Sequence, residues 1–216
     1  MELYNKVTIP RNSDPEEIKK ILWKAYAFGT RAHEGQKRRS GRPYFEHCLA
    51  VGKTLAEWNM DPVTIMGGLL HDTVEDTEVT KEELEREFGE DLTSLVDGVT
   101  KLGGIEFSSR KEKQAGNFMK LLLSVAKDMR VIIIKFADRI HNMSTIQYMP
   151  QMKQHRIAIE TRDVYVPLAH RLGMARVKWM LEDMVFQTLN PKEYSDIDSK
   201  LKSTLRQRNR IINSVV

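Results

Sequence analysis

The chain has 216 residues, 41% hydrophobic and 30% charged, with only 12 glycines and 7 prolines; this is enough chain to bury a core, and it describes a globular, helix-rich protein of one domain with a small appendage rather than a low-complexity one. The 34 basic and 30 acidic residues leave a net charge of +4, too mild an excess to define a partner by itself. The single cysteine, Cys48, excludes an intrachain disulfide framework, no apolar run approaches the ~20 residues of a membrane span, and the first ten residues do not resemble a signal peptide, so the chain reads as cytoplasmic.

In chain order the signals are helical. Ser13-Asp14-Pro15-Glu16 supplies a cap, a proline suited to the first turn and an acidic residue where the helix dipole favours one; Ile18, Ile21, Leu22, Ala25 and Tyr26 then share a face. Basic residues cluster at Lys37-Arg38-Arg39 with Arg42. Asp61-Pro62 starts a helix that carries Val63, Met66, Leu69 and Leu70 into His71, and one helical turn from there would place His71, Asp72 and Glu75 at i, i+1 and i+4. Thr80 to Glu83 is a capping box and Gly89 a stop.

Gly103-Gly104 and Ser108-Ser109-Arg110 read as loop. Four β-branched residues, Val131 to Ile134, favour a strand by propensity. With no strand partner nearby, the segment is expected to be a buried helix, which would align Asp138, Asn142 and Thr145 as a polar stripe. Asn190-Pro191 breaks the chain before a last amphipathic segment with Leu201, Leu205 and Ile211, where Arg206, Arg208 and Arg210 form a second basic cluster. The fold class expected is all-α.

The chemistry-bearing residues recur in a set order: His47, the pair His71-Asp72, and Asp138. Two imidazoles and two carboxylates can close on one divalent metal and leave positions open for water and a phosphate oxygen. Taken singly, each residue has a plainer explanation. His47 fits a hydrogen-bonded buried histidine, His71-Asp72 a helix C-terminal pair, Glu75-Asp76 a solvated acidic turn, and Asp138 an ion pair with Lys135 or Arg139. It is the conjunction that points to a site.

That order resembles the HD phosphohydrolase superfamily. Within it, His33-Glu-Gly-Gln-Lys-Arg-Arg-Ser-Gly41, Leu70-His-Asp-Thr-Val-Glu-Asp-Thr77 and Lys135-Phe-Ala-Asp-Arg-Ile-His-Asn-Met143 are similar to the hydrolase domain of the RelA/SpoT enzymes, which make and destroy guanosine tetra- and pentaphosphate. The resemblance implies an HD-type helical bundle that removes the 3'-pyrophosphate of these nucleotides. It implies His47, His71, Asp72 and Asp138 as ligands of Mn²⁺ (Fe²⁺ or another divalent metal being the alternatives), and Glu75 and Asp76 as the catalytic acidic pair. It further implies Arg38, Arg39 and Ser40 as the loop that holds the nucleotide, and Asn142, Thr145 and Tyr44 as pocket residues.

Two departures accompany it. Cys48 stands where the family often has proline and Ser144 where many members have arginine, and neither is expected to touch the metal set. Asp163 to Gly173 and Val177 to Asp183 resemble the connector that leads into a synthetase domain in long RelA/SpoT enzymes, with no synthetase motif following. Residues 1–155 are therefore expected to be the hydrolase domain and 156–216 a helical connector, a fragment whose partner in cis would be the synthetase domain. His170 to Gly173 and Trp179 are expected to pack rather than catalyse. No membrane or nucleic-acid partner is expected, since the basic clusters lack interleaved aromatics. The rival readings are another HD-superfamily nucleotide phosphohydrolase and a regulatory module that binds the nucleotide without cleaving it.

Overall fold

A computed structural model describes residues 3, 7, 8, 14–103 and 127–215, which form two compact units, Met1–Asn142 and Met143–Val216. No strand occurs among the described residues; one isolated antiparallel bridge joins Lys37 and Pro43. The all-α expectation holds.

The first unit is built from α1 (Pro15–Ala32), α2 (Phe45–Glu57), α3 (Pro62–Leu70), the single turn α4 (Thr73–Asp76), α5 (Lys81–Phe88), α6 (Glu90–Gly103) and α7 (Met129–Ser144), of which α7 runs past the end of the unit. The local start signals act as expected. The Asp14 side chain accepts from the Glu16 amide at 3.0 Å, Asp61 from Thr64 at 3.0 Å and Thr80 from Glu83 at 3.2 Å, each satisfying an amide that the helix itself leaves unpaired. Gly89, at φ +83°, ends α5 in a conformation that an L side chain adopts only under strain.

α3 is the hub. It packs against α1, α2 and α6, and Ile65, Leu69 and Leu70 are fully buried on it. Small residues set the closeness of these crossings: a methyl at Gly29 of α1 would collide with the Phe45 ring and press to 3.2 Å from the Leu69 carbonyl, and one at Gly67 would sit 2.8 Å from Ile134 Cδ1.

Helix α7 carries the Val131 to Ile134 segment, with Val131, Ile132, Ile134, Phe136 and Ala137 buried. Its first turn is held by Asp128, which accepts from the Arg130 amide at 2.8 Å. Burial outweighs the strand propensity of the β-branched run, as expected.

One expectation fails at the end of α3, where the helix does not continue through His71 to Glu75. α3 stops at Leu70, His71 and Asp72 form a turn, and α4 begins at Thr73. Side chains compete for the carbonyls that a continuing helix would use: Thr73 Oγ1 donates to Leu70 O at 2.6 Å, and His71 Nδ1 lies 2.9 Å from Gly68 O.

The second unit contains the 3₁₀ turn Ile146–Tyr148, α8 (Gln151–Glu160), a π turn (Thr161–Tyr165), α9 (Val166–Arg171), α10 (Ala175–Leu189) and α11 (Pro191–Val215). Met143, Ile146, Ala158 and Val185 form its core, with Ile157, Met184 and Leu189 against it. The wide π turn precedes Pro167, which has no N–H to continue a regular helix.

Trp179 is 65% exposed and His170 lies on the surface, which corrects the expectation that they pack: α10 turns Val177, Leu181 and Val185 inward, and Trp179 falls on the opposite side. Asn190 caps the end of α10 and Pro191 opens α11, where Leu201 is exposed. Gly103 closes α6, whereas Gly104, Ser108 to Arg110 and the side chains of Leu205 and Ile211 lie outside the described residues.

Candidate metal and nucleotide site

Three elements of the first unit converge. His47 lies in the first turn of α2, His71 and Asp72 in the turn after α3, and Asp138 in the middle of α7. His47, His71 and Asp138 are each no more than 5% exposed, and they offer ligand atoms within 4.8 Å of one another. His47 Nε2 is 3.3 Å from Asp138 Oδ1 and 3.5 Å from Asp72 Oδ2; His71 Nε2 is 3.1 Å from Asp72 Oδ1 and 3.9 Å from Asp138 Oδ1.

The donor set fits a divalent cation. A carbonyl only accepts, so the contact of His71 with Gly68 O puts a ring proton on Nδ1, and in the neutral ring Nε2 then carries the lone pair. That buried Nε2 has no hydrogen-bond partner among the described residues, although a carboxylate oxygen is 3.1 Å away. Nitrogen lone pairs facing carboxylates repel unless positive charge lies between them.

The electrostatics draw positive charge, a proton or a cation, to the same point. Burial disfavours charge on His71, yet Asp72 and Asp138 outweigh it and raise its pKa. Burial would likewise raise Asp72 and Asp138, but His71 holds the first below the ordinary carboxylate range, and Lys135, with Nζ 3.0 Å from Oδ2, holds the second well below it. His47 is lowered by burial despite Asp138, and the depression of Asp138 comes first from Lys135, with His47 and His71 adding to it.

Around this cluster sit the other expected residues. The Tyr44 hydroxyl shares its one proton between Asp72 Oδ2 at 2.9 Å and Asp76 Oδ2 at 2.7 Å, and burial together with the two carboxylates raises its pKa so that it stays a donor. Gln36 Nε2 donates to the Asp76 carbonyl at 2.6 Å, and the His33 ring stacks on Tyr44 at 4.9 Å. Glu75 is raised by burial, with Lys135 opposing and Asp72 and Asp76 adding. Arg38 donates to Asn142 Oδ1 at 2.7 Å, and Asn142 Nδ2 donates to Asp138 Oδ1 at 2.5 Å.

Not every expected residue joins. Arg39 is exposed with no hydrogen bond or ion pair described, and Ser40 Oγ accepts from the Arg42 amide at 3.5 Å. Thr145 falls in the second unit, half-buried after the end of α7.

The structure also brings in Lys135, named in the sequence only as an ion-pair partner of Asp138, and His141, which sequence reasoning did not assign. Lys135 stands beside Asp138, and His141 Nδ1 lies 2.7 Å from His47 Nδ1 and 3.1 Å from Arg38 Nη1. Both fall inside the Lys135 to Asn142 motif, which was the available signal. Burial lowers the His141 pKa to about 4, with His47 and Arg38 adding. Cys48, expected to stand clear of the metal set, instead has its Sγ within 4.8 Å of ligand atoms of His71 and Asp72, because it follows His47 on the buried side of α2. Burial, then Asp72 and Asp138, push its thiol well up, which keeps it protonated and a poor ligand.

Comparison with known proteins gives three findings. A family model described as HD domain matches residues 25–175. Over 202 residues the chain is 50% identical to a GTP pyrophosphokinase of Streptomyces coelicolor, covering 90% of this chain and 24% of that protein. Over 202 residues it is also 44% identical to the bifunctional (p)ppGpp synthase/hydrolase SpoT of Escherichia coli, covering 94% and 29%. The chain thus spans about a quarter of the length of these curated relatives. Among solved structures, a metazoan ortholog of SpoT that hydrolyses ppGpp matches with a TM-score of 0.54 at 23% identity, over 85% of this chain and 99% of that one, a likeness of fold.

Proposed function

Because the chain belongs to the HD domain family, we propose that it hydrolyses the 3'-pyrophosphate of guanosine tetra- or pentaphosphate, releasing GDP or GTP and pyrophosphate with Mn²⁺ as cofactor. The observation that carries this reading is the convergence of His47, His71, Asp72 and Asp138 on one buried point, with Asp76 and Arg38 at its edge. Mixed nitrogen and carboxylate ligation suits Mn²⁺ or Fe²⁺. When bound, such a cation supplies positive charge that lowers the pKa of water and polarises a phosphate oxygen.

The chain's own residues do the rest. Asp76, its carboxylate oriented by Tyr44, accepts the proton of the attacking water. Glu75, whose pKa burial raises, returns a proton to the 3'-oxygen as the bond between that oxygen and phosphorus breaks. Arg38 and Arg39 neutralise the polyphosphate, while Ser40, Asn142 and Tyr44 border the nucleotide. Residues 1–155 are assigned to this cytoplasmic activity and 156–216 to a connector toward a synthetase domain in cis.

The test incubates the metal-stripped chain with guanosine tetraphosphate, with and without Mn²⁺, and follows products by ion-exchange chromatography. Mn²⁺-dependent release of GDP and pyrophosphate together is the expected result. Nucleotide binding without release would replace the reading by a regulatory module, and release of inorganic phosphate by another phosphohydrolase.

A further inference from the structure

We infer that His141 is a positioning residue that holds His47 in the one tautomer able to offer Nε2 to a cation, with Arg38 setting the direction of the bond between them. The inference rests on the proposed metal site.

The Nδ1 atoms of His47 and His141 are 2.7 Å apart. At that separation one nitrogen carries a proton and the other accepts it. Arg38 decides which. Its Nη1 is 3.1 Å from the same His141 Nδ1, and a guanidinium has donors only. His141 Nδ1 is therefore unprotonated, its single lone pair shared by the two donors, and the proton between the rings belongs to His47 Nδ1.

A neutral His47 protonated there has its lone pair on Nε2, the atom facing Asp138 and Asp72 at 3.3 and 3.5 Å. The opposite tautomer would spend Nε2 on a proton and leave two bare nitrogens 2.7 Å apart. Arg38 is kept in place by its second nitrogen, which donates to Asn142 Oδ1 at 2.7 Å, and Asn142 in turn donates to Asp138 Oδ1 at 2.5 Å. One guanidinium on the loop proposed to hold nucleotide thus orders the partners of two proposed ligands, His47 through His141 and Asp138 through Asn142. Histidine ligands depend on such a partner for their other ring nitrogen, and its loss costs about 10–100-fold in metal affinity.

The experiment has two readouts. Long-range ¹⁵N–¹H NMR on the metal-free full chain reports which nitrogen of His47 carries the proton; calorimetric titration with Mn²⁺ alone reports affinity. His141→Ala removes the acceptor, and His141→Asn returns an oxygen near the position of Nδ1. The wild type is expected to show His47 protonated at Nδ1. His141→Ala is expected to show mixed tautomers and a loss of Mn²⁺ affinity of about 10–100-fold, and His141→Asn to recover to within about threefold of the wild type.

Protonation of wild-type His47 at Nε2 overturns the inference with no variant needed. So does a His141→Ala chain with unchanged tautomer and affinity, or a folded His141→Asn chain that recovers neither. If the wild type shows the Nδ1 tautomer but binds no Mn²⁺, the proposed metal site fails separately, and the tautomer of the variants still decides the role of His141.

Discussion

Replacing Asp138 by asparagine removes one charge while preserving shape. Asp138 is 5% exposed, its Oδ2 is 3.0 Å from Lys135 Nζ, and the Lys135 side chain is itself only 13% exposed. Removing one partner of a buried pair costs about 3–5 kcal/mol. Because asparagine keeps the shape of the side chain, the lower end of that range applies, about 3 kcal/mol. For a chain of this size each kcal/mol moves the melting temperature by about 2–4 °C, so the loss in chelator is about 6–12 °C.

Metal adds a second, separable effect. At Mn²⁺ a thousandfold above its Kd, the wild type gains about 4.1 kcal/mol. Losing a ligand weakens binding by at least the about 100-fold upper end seen for lost supporting residues. At the same Mn²⁺ concentration the variant then gains no more than about 1.4 kcal/mol. Scanning calorimetry of both proteins in EDTA and in Mn²⁺ completes the cycle. Equal Mn²⁺-induced shifts in the two proteins would refute Asp138 as a ligand, and equal melting temperatures in EDTA would refute the buried pair with Lys135.

Asp76→Asn is expected to lower turnover of guanosine tetraphosphate by about 10²–10⁴-fold, with Mn²⁺ and nucleotide affinities near wild type by calorimetry; full activity removes Asp76 from the mechanism. Gly29→Ala gains about 1 kcal/mol of helix propensity but presses on the Phe45 ring and the Leu69 carbonyl, an overpacking cost of about 1–3 kcal/mol. A lower urea midpoint is expected, and a raised one would contradict the close crossing of α1 on α3. Asp97 lies between Lys81 and Lys101; burial pushes its pKa up, but the two lysines outweigh it and hold the carboxyl down. A depressed carboxyl stabilises the fold above its unfolded pKa of about 3.9 and loses that contribution as pH falls through its folded value. Asp97→Asn is therefore expected to cost less than about 1 kcal/mol at pH 7, the lysines being exposed. That difference should vanish in strong acid, and a pH-independent denaturation difference would mean that charge is not its source.

Helix starts were legible in the sequence at Asp14-Pro15, Asp61-Pro62 and Thr80, because a cap and the amide it satisfies lie within about four residues of each other. The motifs around His47, His71-Asp72 and Asp138 were legible too, since residue type and spacing set which chemistry is available. Tertiary structure decided matters that contacts over long separations control. Val131 to Ile134 is helical because packing buries it, against its own propensity. The helix break after Leu70 follows from how His71 and Thr73 spend their side-chain donors, a choice that the i, i+1, i+4 pattern does not contain. Trp179 points outward because α10 presents its other face to the core, and Cys48 reaches the cluster because it shares a buried turn with His47. His141 sits inside a legible motif, but its role depends on Arg38, which lies 103 residues away in the chain and 3.1 Å away in space. Local hydrogen bonds are written in neighbouring residues, whereas the proton on His47 is placed by a partner that only the folded chain brings near.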